Sequence, residues 1–187
     1  MDPETELNLI RKSIDGDHQA FRQLVESHQG LAYSLAYRFT REEKESEDIV
    51  QEAFVKLWKN LSRYNAQYRL KTWLCKIVTN LSLDYLKSGR KKKVMSENNF
   101  PAKSMIERVV HEDELESEEL KSIVLRLAEQ LTEKQKVVFI LRDLETLSSE
   151  EVCQTLEMTP GNMKSNLYHA RLKIKDGLQK IYKTKLI

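Results

Sequence analysis

The 187 residues hold 31 Lys and Arg against 29 Asp and Glu, a formal net charge of +2, with only five Gly and three Pro. Leu, Lys and Glu dominate and no alternating β-branched runs occur, which favours an all-helical protein. The length accommodates two small domains, each with a modest core. There is no Gly-rich phosphate loop, paired-His motif or nucleophile motif, so no enzyme class finds an address in the chain. Cys75 and Cys153 lie far apart with no CxxC spacing, and His18, His28, His111 and His169 do not cluster, so neither a metal nor a cofactor is expected.

In chain order, Met1 to Leu9 is acidic and polar and lacks the cationic and apolar parts of a signal peptide, and no apolar run reaches the length of a membrane span. A cytoplasmic protein is expected. Asp17 has the chemistry of an N-cap, and the apolar periodicity from Phe21 through Phe39 predicts one long helix or a pair broken near Gly30. A charged break follows at Arg41 to Glu47, with Ser46 as the expected cap of the next helix. That helix has an apolar side made of Ile49, Val50, Ala53, Phe54, Leu57, Trp58 and Leu61. Its other side shows Asp48, Gln51, Glu52, Val55, Lys56 and Lys59, an amphipathic strip suited to a partner helix. The Tyr-rich segment Tyr64 to Arg69 is expected to be a loop, and Leu70, Leu74, Ile77, Val78, Leu81 and Tyr85 form the stripe of the helix after it.

Ser88 and Gly89 should end that helix. Five cations (Lys87, Arg90, Lys91, Lys92 and Lys93) come next, and seven acids crowd between Glu107 and Glu119. Little apolar periodicity remains as far as Glu116, which predicts a flexible linker. Helicity resumes near Leu120, Thr132 with Gln135 forms a capping box, and Ser148 with Glu151 forms a second. Glu157 to Thr159 leaves room only for a turn before Pro160, which suits the first position of a helix capped by Thr159. Met163, Leu167, Ala170, Ile174, Leu178 and Ile181 then make a buried stripe, while Gly161, Lys164, Ser165, Tyr168 and His169 face the other way. A helix-turn-helix places such small, polar and cationic residues in the major groove. Seven cations against the single acid Asp176 from Pro160 onward favour DNA over a merely solvated face.

Three segments in this order resemble the extracytoplasmic-function (ECF) sigma factors of the bacterial sigma-70 family, and the resemblance covers nearly the whole chain. Asp48-Ile49-Val50-Gln51-Glu52-Ala53-Phe54-Val55-Lys56-Leu57-Trp58 is similar to the family's clamp-binding segment. Thr72-Trp73-Leu74 through Asn80 and Asp84 resembles its promoter-melting segment, and Leu131-Thr132 through Arg171 its final region. The implied organisation is a domain over 1–90, a flexible linker over 91–117 and a domain over 118–187 ending in the helix-turn-helix.

The resemblance implies three partners: core RNA polymerase, through its clamp helices and flap, promoter DNA, and an anti-sigma protein. It assigns Asp48, Gln51, Glu52, Val55, Lys56, Trp58 and Lys59 to core polymerase, although Trp58 also suits the domain core. To the −10 element it assigns Tyr64, Asn65, Tyr68, Arg69, Lys71, Thr72, Lys76, Asn80, Lys87 and Arg90, where rings stack on bases and cations follow phosphates. Trp73 and Tyr85 read as packing residues and Asp84 as a structural partner. To the −35 element it assigns Pro160, Gly161, Lys164, Ser165, Tyr168, His169 and Arg171. The chain departs from the family at Asn166 and His169, where many relatives carry an Arg able to grip guanine.

A self-sufficient regulator with the same helix-turn-helix would need a sensing or dimerisation domain, which Asp17 to Leu86 does not resemble. A decoy that binds an anti-sigma protein without reading DNA would lack the basic run at Lys87 to Lys93 and the cations of the last helix. The expected function is therefore promoter recognition, DNA melting and transcription initiation with core polymerase, without catalysis by the chain itself.

Overall fold

The computed structural model describes residues 1–88 and 112–185. The predicted cation run from Arg90 and most of the predicted linker lie outside them. The described residues are all-helical: α1 (Pro3–Ile14), α2 (His18–Thr40), α3 (Glu43–Asn60), a short 3₁₀ turn (Leu61–Arg63), α4 (Leu70–Lys87), α5 (Glu112–Ala128), α6 (Glu133–Phe139), a π-helical turn (Ile140–Leu144), α7 (Ser149–Leu156) and α8 (Pro160–Lys185). They fall into two compact units. The first holds α1 to α4, and the second holds α5, α6, α7 as far as Cys153, and α8.

Helix α1 is not expected from the acidic, polar start of the sequence. Asp2 caps it, its carboxylate accepting from the amides of Glu4 and Thr5 at 3.1 and 2.9 Å, and Pro3 sits in the first turn where no amide is needed. A helix of this length is marginal alone. Burial of Leu9 and Ile10 holds it, each contributing roughly 1.5–3 kcal/mol. Glu6 Oε1 also stands 3.1 Å from Nε2 of the buried His28 of α2.

Asp17 caps α2 as expected, accepting from the amides of Gln19 and Ala20 at 2.9 and 3.1 Å. The helix runs unbroken through Gly30 and ends at Arg41, which turns left-handed at φ 60° and returns its amide to the Tyr37 carbonyl at 2.9 Å. The expected seven-residue break thereby shrinks to two residues. Ser46 is not the cap of α3: it lies buried in the first turn, where its hydroxyl donates to the Glu42 carbonyl at 2.6 Å and meets Thr40 Oγ1 at 2.7 Å. Leu24, Leu35 and Phe39 of α2, Ala53 and Leu57 of α3, and Leu70, Leu74 and Val78 of α4 form the first core.

In the second unit α5 starts at Glu112, so residues 112–117 are helical rather than linker. Ile123, Leu127, Ala128, Leu131, Phe139, Ala170 and Ile174 make one buried cluster. Gly177 lets α5 and α8 approach closely, since a Cβ there would come within 2.5 Å of Leu127 Cδ2. Both predicted capping boxes are present. Thr132 and Gln135 exchange bonds of 3.4 Å each, and Ser148 and Glu151 exchange bonds of 2.8 and 3.1 Å. Between them the helix widens into the π turn, closed by the Glu145 amide on the Ile140 carbonyl at 2.9 Å.

Candidate nucleic-acid and polymerase interfaces

On α3 the predicted strip is a surface. Asp48, Gln51, Glu52, Val55, Lys56 and Lys59 are all exposed, whereas Ile49, Ala53, Phe54 and Leu57 on the opposite side are buried. Glu52 and Lys56 pair along the helix at 2.9 Å. Val55 is 49 % exposed between charged neighbours, which costs hydration and does nothing for the fold. Trp58 does not share this surface. Its ring stacks on His18 with centroids 5.1 Å apart and meets the edge of Phe21 at 4.7 Å, so it is a half-buried packing residue between α2 and α3.

The segment assigned to the −10 element separates into residues that shape it and residues that project from it. The Tyr64 ring stacks on Trp73 at 5.8 Å, and its hydroxyl donates to the Tyr68 carbonyl at 2.5 Å. Burial, and then the nearby charge of Glu6, push the Tyr64 phenol above its ordinary pKa. Asn65 builds the turn by accepting from the Gln67 amide at 2.9 Å. Tyr68 and Arg69 stand exposed at the tip, with Asn80 and Lys87 exposed further along α4 and Lys71 and Lys76 half-buried. Thr72, assigned to DNA from the sequence, is 4 % exposed and belongs to the core. Asp84 is exposed, and Tyr85 is buried as expected.

The helix-turn-helix is assembled as its sequence suggests. Val152 of α7 is buried, Leu156 is half-buried, and Glu157 turns the chain at φ 50°. Thr159 Oγ1 accepts from the Asn162 amide at 3.3 Å, and Pro160 opens α8. Met163, Leu167, Ala170 and Ile174 are buried, and Pro160, Gly161, Lys164, Ser165, Tyr168 and His169 are all exposed. Tyr168 is 64 % exposed and leans edge-on to His169 at 5.4 Å. Asn166, by contrast, folds onto its own helix and donates to the Asn162 carbonyl at 2.8 Å.

Arg171 is the exception in this group. Its Nε and Nη2 donate to Oδ2 and Oδ1 of Asp143 at 2.8 and 2.7 Å, a bidentate fork that raises the guanidinium pKa further. No local pattern in the sequence marks Asp143, because the pair spans 28 positions and depends on the π turn, which has no periodicity signature.

Among the described residues no group of three or more His, Cys, Asp or Glu could hold a metal ion, and no helix is long and apolar enough to cross a membrane.

The comparisons with known proteins follow the same division. Residues 24–92 match the sigma-70 region 2 family and residues 121–174 match sigma-70 region 4. The ECF RNA polymerase sigma-E factor of Escherichia coli K12 is 30 % identical over 182 residues, covering 94 % of this chain and 95 % of that protein. The ECF RNA polymerase sigma factor SigW of Bacillus subtilis is 30 % identical over 172 residues, covering 87 % and 90 %. Among solved structures, CnrH in complex with the cytosolic domain of CnrY shares the fold at a TM-score of 0.69 with 22 % identity, over 94 % of this chain and 98 % of that one. The sigma factor RpoE in complex with the anti-sigma factor NepR from Bartonella quintana does so at 0.66 with 19 % identity, over 85 % and 96 %. With region 2 on the first unit, region 4 on the second and relatives matched almost from end to end, the chain belongs to the ECF RNA polymerase sigma factors of the sigma-70 family.

Proposed function

We propose that the chain acts in the cytoplasm as a promoter-specificity subunit. It binds core RNA polymerase through the outer face of α3, engages the −10 element through the Tyr64–Arg69 loop and α4, and reads the −35 element with α8. It has no catalytic activity of its own. The observation that carries this reading is the two-faced build of α8: an unbroken buried stripe opposite a set of small, polar and cationic residues that the fold does not use. A helix entering the major groove requires that division of faces.

The polar strip of α3 supports the polymerase contact, because exposed Val55 among Asp48, Gln51, Glu52, Lys56 and Lys59 has the mixed character of an interface rather than of a solvated face. On the loop, Tyr68 and Arg69 are the base-stacking and phosphate candidates. Tyr64 and Asn65 act by shaping the loop, and Thr72 and Trp58 leave the contact sets. An anti-sigma protein, the kind of partner that RpoE has in its complex with NepR, is the regulator we expect. Run-off transcription with core polymerase on a promoter library tests the whole reading. Specific initiation that depends on the chain is expected, and DNA binding without initiation would make it a regulator instead.

A further inference from the structure

We propose that Asp143 is a positioning residue that withholds Arg171 from the DNA backbone, so that Arg171 braces the reading helix instead of adding a sequence-independent phosphate contact. The inference rests on the reading of α8 as the −35 helix. Lys164, Tyr168 and Arg171 follow one another at steps of four and three, so they lie along one side of α8. An exposed arginine at that place on a groove-facing helix would ordinarily take a phosphate. Here its fork is filled, with Nε on Oδ2 at 2.8 Å and Nη2 on Oδ1 at 2.7 Å.

The carboxylate is the fixed partner. The Asp143 side chain is 20 % exposed against 57 % for Arg171. Asp143 also sits in the π turn, which is closed by Glu145 on Ile140 and tied down by Arg142 Nη1 donating to the Leu147 carbonyl at 3.1 Å. The arginine therefore folds down to a carboxylate that the backbone presents. Two consequences follow. The paired charges sum to zero, so Arg171 displaces no counterion from DNA, and the salt dependence of binding loses a contribution of about one unit of slope. The fork also joins α8 to the turn preceding the helix-turn-helix and fixes the rotation of α8, on which the aim of Ser165, Tyr168 and His169 depends.

The test uses holoenzyme assembled from core polymerase and the full chain. It measures log K against log salt on a −35 duplex selected from a randomised library and on its scrambled counterpart. Asp143→Asn keeps the shape and removes the charge. It should steepen the slope by about one unit on both duplexes and narrow the preference for the selected one. Adding Arg171→Ala to Asp143→Asn removes both charges together and should return the slope to its native value. A slope about one unit below the native value once both charges are removed, in Asp143→Asn with Arg171→Ala or in Asp143→Ala with Arg171→Ala, overturns the proposal, and the second pair keeps that arm should Asp143→Asn alone fail to fold. Lys164→Ala separates the two levels. If it leaves the slope unchanged, the −35 reading fails and the inference with it; if it lowers the slope while folded Asp143→Asn does not raise it, the inference alone fails.

Discussion

In α8 the residues assigned to DNA, Arg171 apart, and the residues that hold the fold occupy opposite sides of one helix, whereas between Tyr64 and Lys87 the two sets are interleaved. Lys164, Ser165, Tyr168 and His169 are exposed over a buried Met163–Leu167–Ala170 stripe. In the loop and α4, Tyr64 stacks on Trp73, Asn65 makes the turn and Thr72 is buried. A groove reader needs only a rigid rod with one dressed face. A loop that must hold a base away from its stack has to be built from the residues it displays, so shape and contact fall on the same side chains. Substitutions should accordingly separate stability from promoter choice in α8 and fail to separate them in the loop.

The largest effect should come where the two roles were confused. If Thr72 touched DNA, Thr72→Arg would strengthen promoter binding. With Thr72 4 % exposed, it instead forces a charge and extra volume into a filled core and should cost roughly 3 kcal/mol or more. Urea unfolding decides this. A midpoint near that of the native chain would return Thr72 to the DNA face.

Next in size is a matched pair of aromatic deletions. Trp73→Ala removes the platform under Tyr64 and should cost about 2 kcal/mol while also slowing promoter opening. Tyr168→Ala, at a position 64 % exposed, should cost less than about 0.5 kcal/mol yet change the −35 bases recovered from a randomised library. Equal destabilisation by the two would dissolve the contrast. The same selection sharpens it with His169→Arg. This variant adds a fork able to grip guanine and should shift preference by roughly 1–3 kcal/mol with no change in melting temperature. If neither His169→Arg nor Tyr168→Ala alters the selected bases, α8 is not the reader.

The difference between the regions also explains what the sequence could tell. Periodicity and capping are local signals, and they located α2, α3, α4 and α8, the caps at Asp17, Thr132, Ser148 and Thr159, and the exposed strips of α3 and α8. Helix α1 escaped because its apolar residues are few and its capping Asp2 stands among other acids. Ser46 has cap chemistry, but Arg41 in the left-handed conformation lets α3 begin four residues earlier, capped at Glu42, so the Ser46 hydroxyl is drawn into the core beside Thr40. Periodicity already sets Trp58 on the apolar side, and likeness to the motif alone adds it and Thr72 to the contact sets, because such likeness does not say which way each side chain points. The partnership of Asp143 with Arg171 joins residues 28 apart, and no local pattern carries such a distance.

The smallest effect on folding should belong to the α3 surface, where it is most informative. Glu52 and Lys56 form an exposed pair at 2.9 Å, four residues apart and with the acid first, an arrangement worth only about 0.2–0.5 kcal/mol. Exchanging them, Glu52→Lys with Lys56→Glu, keeps the net charge, the helix propensity and a pair of opposite charges. It loses only the more favourable orientation, a few tenths of a kcal/mol. Circular dichroism and the urea midpoint should hardly move. A polymerase surface that complements Asp48, Gln51, Glu52 and Lys56 would nevertheless meet both charges reversed, and association with core polymerase should weaken by at least about tenfold, or 1.4 kcal/mol. Because the isolated helix is nearly indifferent to the exchange, that loss can arise only at an interface. Undiminished association would show that the strip is a solvated face and that the polymerase contact lies elsewhere on the first unit.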